Sequence, residues 1–246
     1  MTNSRIADMP DRVAAGQTVG NRLLTRIPES EFQLLQPYLE YVCLELGVTP
    51  MREREPIDSV YFVNRGIISM LVTTADGRSV EVGIVGREDM LGLQLMVGLE
   101  DLSQRWIVQV PGDGFRVRAA VMKRILPSMP ELNRMLVRQL GIRWVQLAQN
   151  AACNRLHNIR QRLARWLLLT RDRIDSEIIV TTHDSLAKLV GTDRPTVSVA
   201  LGELQQDGAI AVARGLISVA NRALLERFCC ECYAIFQQFN AELGLS

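Results

Sequence analysis

The chain has 246 residues, 48% of them hydrophobic and 22% charged, which is enough apolar material for two folded domains and excludes a disordered charged polymer. Lys and Arg number 28 against 27 Asp and Glu, a formal net charge of +1, so a uniformly basic nucleic-acid coat and an acidic solvating protein are both excluded. No apolar run approaches the ~20 residues of a membrane span, the N-terminal residues lack a signal-type hydrophobic core, and the five cysteines are too few and scattered for a disulfide framework; a cytoplasmic chain with reduced thiols is expected.

Residues 1–20 lack apolar periodicity and read as a flexible tail. From Asn21 to Leu39 the spacing of Leu23, Leu24, Ile27, Phe32, Leu34, Leu35 and Leu39 predicts one or two short helices broken at Pro28. Between Tyr41 and Val121 short β-branched runs replace that texture: Val60–Val63, Ile67–Val72, Val80–Val85, Trp106–Val110 and Phe115–Val117. Turns are expected at Ala75-Asp76-Gly77-Arg78, where Asp-Gly supplies positive φ, and at Pro111-Gly112-Asp113-Gly114. Many short antiparallel strands at this spacing form a small barrel or roll.

A long helix follows over 131–155, with Ser128 as its expected cap. Leu132, Met135, Leu136, Leu140, Trp144 and Leu147 recur at spacings of three and four, a stripe longer than a small roll can cover, so pairing with a second copy is expected. Residues 131–173 hold nine arginines against Glu131 and Asp172, a net of +7 that points weakly toward phosphate. The next helix, about 156–170, is read with Leu163, Trp166 and Leu167 inward and Arg160, Arg162 and Arg165 outward.

The segment after it carries the most specific pattern. Thr182 can cap a two-turn helix, Gly191 ends it through positive φ, and Asp193 caps a second helix in which Pro195 is tolerated in the first turn. Val197, Leu201 and Leu204 form its buried face, and a hairpin turning at Arg214-Gly215 follows. Two short helices joined by a Gly-containing turn, followed by a hairpin, make a winged helix-turn-helix, whose second helix enters a DNA major groove. Arg194, Thr196, Ser198 and Val199 are therefore the candidate base-reading residues, with Thr182, Lys188 and Arg214 as further DNA contacts.

Gly191 to Leu204 with Asp207-Gly208-Ala209-Ile210, and upstream Val60 to Ser69 with Asp76 to Gly86, resemble the superfamily named after the cyclic AMP receptor protein and the fumarate-nitrate reductase regulator (Crp/Fnr). The resemblance spans about residues 21–233 in the family's order. It implies an α+β bacterial transcription regulator: an N-terminal cyclic-nucleotide-binding-like β-roll over 21–130, a dimerisation helix over 131–156, a winged helix-turn-helix over 157–228, and here a cysteine-containing extension over 229–246. Its implied partners are a second copy, double-stranded DNA carrying a near-palindromic operator, RNA polymerase and an unidentified small-molecule effector, with no membrane partner. Two departures matter. Family members often read bases with an Arg-Glu pair and a later Arg; Arg194 matches the first, but Pro195 and Val199 stand at the other two places. Nucleotide-binding members hold the ribose with a Gly-Glu pair and the cyclic phosphate with an Arg-Ser pair. Here Gly92 precedes Leu93, and the later stretch reads Ser103-Gln104-Arg105-Trp106, leaving Gly92, Leu93, Arg105 and Trp106 as a degenerate candidate effector pocket.

An enzyme is not expected: both histidines, His157 and His183, lie outside the roll, and no phosphate loop, metalloprotease helix or nucleophile elbow is present. The iron-sulfur chemistry of oxygen-sensing relatives is not supported either, because Cys43 stands alone in the first half. Cys229, Cys230 and Cys232 could hold a soft metal given a fourth ligand from elsewhere, but they are read as reduced thiols and His157 as a hydrogen-bonded junction residue; no catalytic residue, metal or cofactor is assigned. The alternative function is a small-molecule, redox or metal sensor acting through protein partners instead of operator DNA.

Overall fold

The computed structural model describes residues 12–101, 104–174 and 176–242. It opens with a small hairpin, β1 (Val13–Ala14) and β2 (Gln17–Thr18). This corrects the expected tail from Arg12 onward, while residues 1–11 lie outside the described residues. Ala14 and Val19 are buried, and Arg12 donates to the carbonyls of Leu24 and Ile27 while its guanidinium lies 4.8 Å from the centre of the Phe32 ring. Asn21 continues the stitching, donating to the carbonyls of Val63 (3.0 Å) and Asp89 (2.9 Å). Pro28 precedes helix α1 (Glu29–Leu35) as its N-cap instead of breaking it.

The roll is built from β3 (Glu40–Leu44), β4 (Ser59–Thr73), β5 (Ser79–Val85), the short β6 (Met90–Leu91) and β7 (Arg105–Arg118). Its sheet order is β3-β7-β4-β5, with β6 paired to β4 and all neighbours antiparallel. The Asp76-Gly77 hairpin joins β4 to β5 as expected, with Gly77 at φ 83°. Pro111-Gly112-Asp113-Gly114 is not a turn. It lies inside β7, where the register against β4 slips repeatedly between Val63 and Ile68. The two backbones approach so closely there that a Cβ on Gly112 would collide with the Arg65 carbonyl. Phe62, Phe115, Ile68, Met90 and Leu91 fill the interior.

Helix α2 (Ala119–Ile125) leads to α3 (Pro130–Leu156), the long helix. Its cap is not Ser128, which sits in a preceding 3-10 turn. The buried Glu31 carboxylate does that work, accepting from the amides of Glu131 and Leu132 at 2.8 Å each. A carboxylate at a helix N-terminus satisfies two unpaired amides and opposes the positive end of the helix dipole. The same contact fixes α3 to the roll.

Leu132 and Leu136 are fully buried in the roll's own core, so they are not on an outward seam. Met135, Leu140 and Leu147 are half-buried against that core. Trp144 is 77% exposed and Val137 54%, and with the exposed Gly141, Ala148 and Ala151 they recur along one outward line at spacings of four, three, four and three. The inward line is partly polar: Gln139, Arg143, Gln146 and Asn150 are buried.

Past a break at His157, α4 (Ile159–Ile174) begins the second core, followed by β8 (Ile178–Val180), α5 (His183–Val190), α6 (Arg194–Gln206), β9 (Ile210–Ala213), β10 (Leu216–Val219) and α7 (Arg222–Phe228). The three strands form one antiparallel sheet in the order β8-β10-β9. Leu163, Leu167, Leu186, Val197, Leu201 and Ile217 are among its buried centre. The last helix, α8 (Cys232–Glu242), packs on α3 and α4. Among the described residues no helix is long and apolar enough to cross a membrane.

Candidate nucleic-acid interface

The helix pair forms as its capping residues dictate. Thr182 Oγ1 accepts from the Ser185 amide at 3.1 Å, Gly191 takes φ 65° to end α5, and Asp193 Oδ1 accepts from the Thr196 amide at 2.8 Å to start α6. Val197, Leu201 and Leu204 bury the inner face of α6. Its outer face leaves Arg194 and Val199 exposed and Thr196 and Ser198 half-exposed. Among the described residues the Arg194 guanidinium makes a long, exposed ion pair with Asp184 at 3.8 Å, a contact it can exchange for another acceptor. Ser198 is less available. Its hydroxyl donates to the Arg194 carbonyl at 3.0 Å and lies 2.8 Å from His183 Nδ1, a link across the two helices that the sequence reading did not foresee. Gly215, at φ 75°, turns the β9–β10 hairpin beside exposed Arg214. Thr182, the cap of α5, and Lys188 within it are exposed.

The arginine-rich stretch has a different destination from the one its charge suggested. Arg160 pairs with Asp207, Arg162 is buried and donates to the Val190 carbonyl, and Arg165 donates to Asn150 with its guanidinium over the Phe236 ring. Arg171 pairs with Glu177, and Arg173 with the buried Glu88 at 2.7 Å. These five cations are engaged within the chain, while Arg134, Arg138 and Arg155 of the same stretch are exposed on α3. Arg160, Arg162 and Arg171 meet partners within the DNA-binding domain, while Arg165 and Arg173 reach across to α3 and the roll.

Glu81 sits at the junction of the two domains. Its carboxylate accepts from Ser69 Oγ at 2.6 Å and from Trp166 Nε1 at 3.1 Å, joining β5 to β4 and α4. Burial pushes its carboxyl up from 4.5 to about 7, against the opposing effect of Ser69, Arg165 and Trp166. The folded chain therefore holds a proton that the unfolded chain releases between those values, and stability should fall as pH rises from about 4.5 to 7. Glu81→Gln should flatten that dependence and raise stability by about 2 kcal/mol above pH 7. Urea unfolding of both proteins between pH 5 and 8 is the measurement, and parallel profiles would remove Glu81 as the cause.

The residues of the expected effector pocket differ in their surroundings. Leu93 and Trp106 are buried in the roll core, and Gly92, at φ 99°, starts the 3-10 turn that carries Leu93 inward. Arg105 is exposed and lines a cleft of about 760 Å³ between the β4–β5 hairpin and the α5–α6 turn, with Arg78, Val80, Lys188, Gly191 and Asp193. Ser103 lies outside the described residues.

Of the cysteines that could hold a soft metal, Cys230 and Cys232 gain two companions in the structure and Cys229 is not in the group. Cys153, His157, Cys230 and Cys232 converge where α3 ends and α8 begins. The four-residue spacing of Cys153 and His157 at the end of the long helix was the available signal.

Residues 42–126 match the cyclic nucleotide-binding domain family and residues 161–228 the Crp-like helix-turn-helix domain family. The chain is 26% identical over 216 residues to the global nitrogen regulator of Synechococcus elongatus, covering 84% of this chain and 96% of that protein. It is 27% identical over 216 residues to the CRP-like cAMP-activated global transcriptional regulator of Mycobacterium tuberculosis, covering 82% and 93%. Among solved structures, FixK2 from Bradyrhizobium japonicum superposes with a TM-score of 0.67 at 17% identity, covering 78% of this chain and 98% of that one. A regulator of the Crp/Fnr family from Eubacterium rectale superposes at 0.65 and 16% identity, covering 84% and 97%. The helix-turn-helix match and the regulator relatives support DNA binding. With a nucleotide-binding-type roll, a long helix and a winged helix-turn-helix in that order, the chain belongs to the Crp/Fnr superfamily of transcription regulators.

Proposed function

We propose that this regulator acts as a homodimer that reads a near-palindromic operator through α6, and that its roll does not use a cyclic nucleotide. The observation that carries the reading is the combination of an exposed Arg194 at the capped start of α6 with an exposed apolar line on α3. The first suits a guanine edge, which accepts two hydrogen bonds from one guanidinium; the second suits a two-fold seam that spaces two recognition helices about one DNA turn apart.

Thr196 and Val199 extend the base-reading surface, Ser198 orients it, and Thr182, Lys188 and Arg214 meet phosphate. Arg194→Ala should weaken binding to the operator by about 1 to 3 kcal/mol, roughly 5- to 150-fold, and relax preference at one base pair. Lys188→Ala and Arg214→Ala should weaken binding to all sequences alike and each lower the salt slope by about one. Fluorescence anisotropy on DNA from the gene's own upstream region, at several salt concentrations, separates the two classes. Equal operator affinity for Arg194→Ala at matched salt would falsify the base-reading assignment.

A cyclic phosphate keeps its negative charge, and taking it out of water is costly unless a cation and oriented amides replace the hydration. Buried Leu93 offers no acceptor for the ribose, and Arg105 faces the interdomain cleft. Cyclic AMP and cyclic GMP should therefore bind no tighter than about millimolar. A micromolar calorimetric isotherm, lost on Arg105→Ala, would overturn this.

A further inference from the structure

We propose that Cys153, His157, Cys230 and Cys232 form a closed tetrahedral site for a single thiophilic transition-metal ion of the zinc type, clasping the end of α3 to the start of α8. The four ligand atoms all lie within 4.8 Å of one another. Cys153 Sγ is 3.6 Å from Cys230 Sγ, and Cys232 Sγ is 3.6 Å from His157 Nδ1. Zinc–sulfur bonds of about 2.3 Å at tetrahedral angles separate two thiolates by about 3.8 Å, so these separations are the edges of a one-ion polyhedron. A four-iron cluster sets an iron behind each thiolate and spreads the sulfurs much farther apart. A disulfide between Cys153 and Cys230 would require the sulfurs to approach to about 2.05 Å.

The surroundings match a metal shell. Cys153 is fully buried, Cys232 likewise, and Cys230 is 4% exposed, so an ion there has four protein ligands and no open position, as structural zinc sites do. His157 Nε2 lies 3.2 Å from Glu231 Oε1, which holds the proton on Nε2 and leaves the Nδ1 lone pair facing the thiols. Gln149 Nε2 donates to Cys232 Sγ at 3.1 Å, a hydrogen bond that delocalises thiolate charge. Three thiolates and one imidazole exclude magnesium and calcium, which take oxygen ligands. Cys153 lies in the last turn of α3 and His157 is that helix's C-cap, four residues on, while Cys230 and Cys232 flank Glu231 after the DNA-binding domain. An ion held by all four spans the α3–α4 break and fixes the helix-turn-helix domain relative to α3.

The test uses the full-length untagged protein, expressed with added zinc and purified with reductant under nitrogen. Elemental analysis is expected to find one zinc per chain, and cobalt(II) replacing it should give thiolate charge-transfer and intense tetrahedral d–d absorption. Cys153→Ser and Cys232→Ser should each lose stoichiometric metal, while Cys43→Ser and Cys229→Ser retain it. Should a ligand variant fail to fold, wild type stripped by chelator decides: it should take up one cobalt(II) with the same spectrum and regain its melting temperature with zinc. Substoichiometric zinc with no cobalt spectrum, bound iron with inorganic sulfide, a Cys153–Cys230 disulfide in the anaerobic protein, or a cobalt spectrum surviving the Cys153→Ser/Cys232→Ser double variant would each overturn the proposal.

Discussion

Trp144→Arg is expected to convert the protein to a monomer and to abolish high-affinity operator binding while leaving each chain folded. Trp144 is 77% exposed and lies on the line of Val137, Gly141, Ala148 and Ala151, so nothing among the described residues covers the ring. In a two-fold interface that ring is buried twice. Burying a tryptophan removes about 150 to 250 Å² from water, and even after the costs of association each copy should contribute about 2 to 4 kcal/mol. Losing both, and placing two cations at the seam, should raise the dimer dissociation constant at least about a thousandfold. Gly141 and the two alanines suit close helix approach, which is why a long cationic side chain should be poorly accommodated there. Sedimentation equilibrium at micromolar concentration is the direct measurement, with far-UV circular dichroism to establish that the variant is folded. Leu132→Ala makes the contrast. Leu132 is buried in the roll, so its truncation should lower the melting temperature without shifting the monomer–dimer equilibrium. A wild-type monomer at that concentration, or a Trp144→Arg dimer of wild-type affinity, would remove the two-fold seam from the proposal.

The parts of this architecture legible in the sequence are those fixed by local chemistry. Thr182, Gly191 and Asp193 announce the helix pair because caps and positive φ are decided within a few residues, and all three perform those roles. The Asp76-Gly77 and Arg214-Gly215 hairpins were legible for the same reason. Features depending on distant partners were not. Glu31 caps a helix about a hundred residues later, and no spacing rule connects it to Leu132. The Pro111 to Gly114 run carries turn residues, but they serve close strand crossing, which demands the same absence of a side chain. On α3 a single stripe was expected where there are two. The helix lies against its own roll and presents a second apolar line outward, so Leu132 and Trp144 share a period but not a destination. The arginines were misassigned for a related reason: their counter-charges, Glu88, Asp89 and Asp207, come from other elements. Cys153 and Cys230 stand 77 positions apart, and only the fold brings them together.

The other large effect expected is on stability, from the alternating charges of Arg143, Asp89, Glu88 and Arg173. Asp89 is 1% exposed, and Arg143 pairs with it while donating to the Ile84 carbonyl at 2.7 Å. Burial lowers the Arg143 guanidinium to about 10, which leaves it cationic at neutral pH. Burial alone would raise the Glu88 carboxyl, but Arg173, a backbone amide and Arg143 together outweigh it and hold the group below its ordinary value. A buried pair of this kind adds little over an apolar substitute, because desolvation offsets the attraction, yet removing one member strands the other in a low dielectric. Arg143→Ala should therefore cost about 3 to 5 kcal/mol, roughly 10 °C in melting temperature for a chain of this size. Arg143→Met with Asp89→Asn, which removes both charges and keeps the volume, should recover more than half of that loss. Calorimetry on the three proteins distinguishes the causes. If the double variant melts as low as the single one, the loss comes from packing and the Ile84 hydrogen bond, and the stranded charge is not its source.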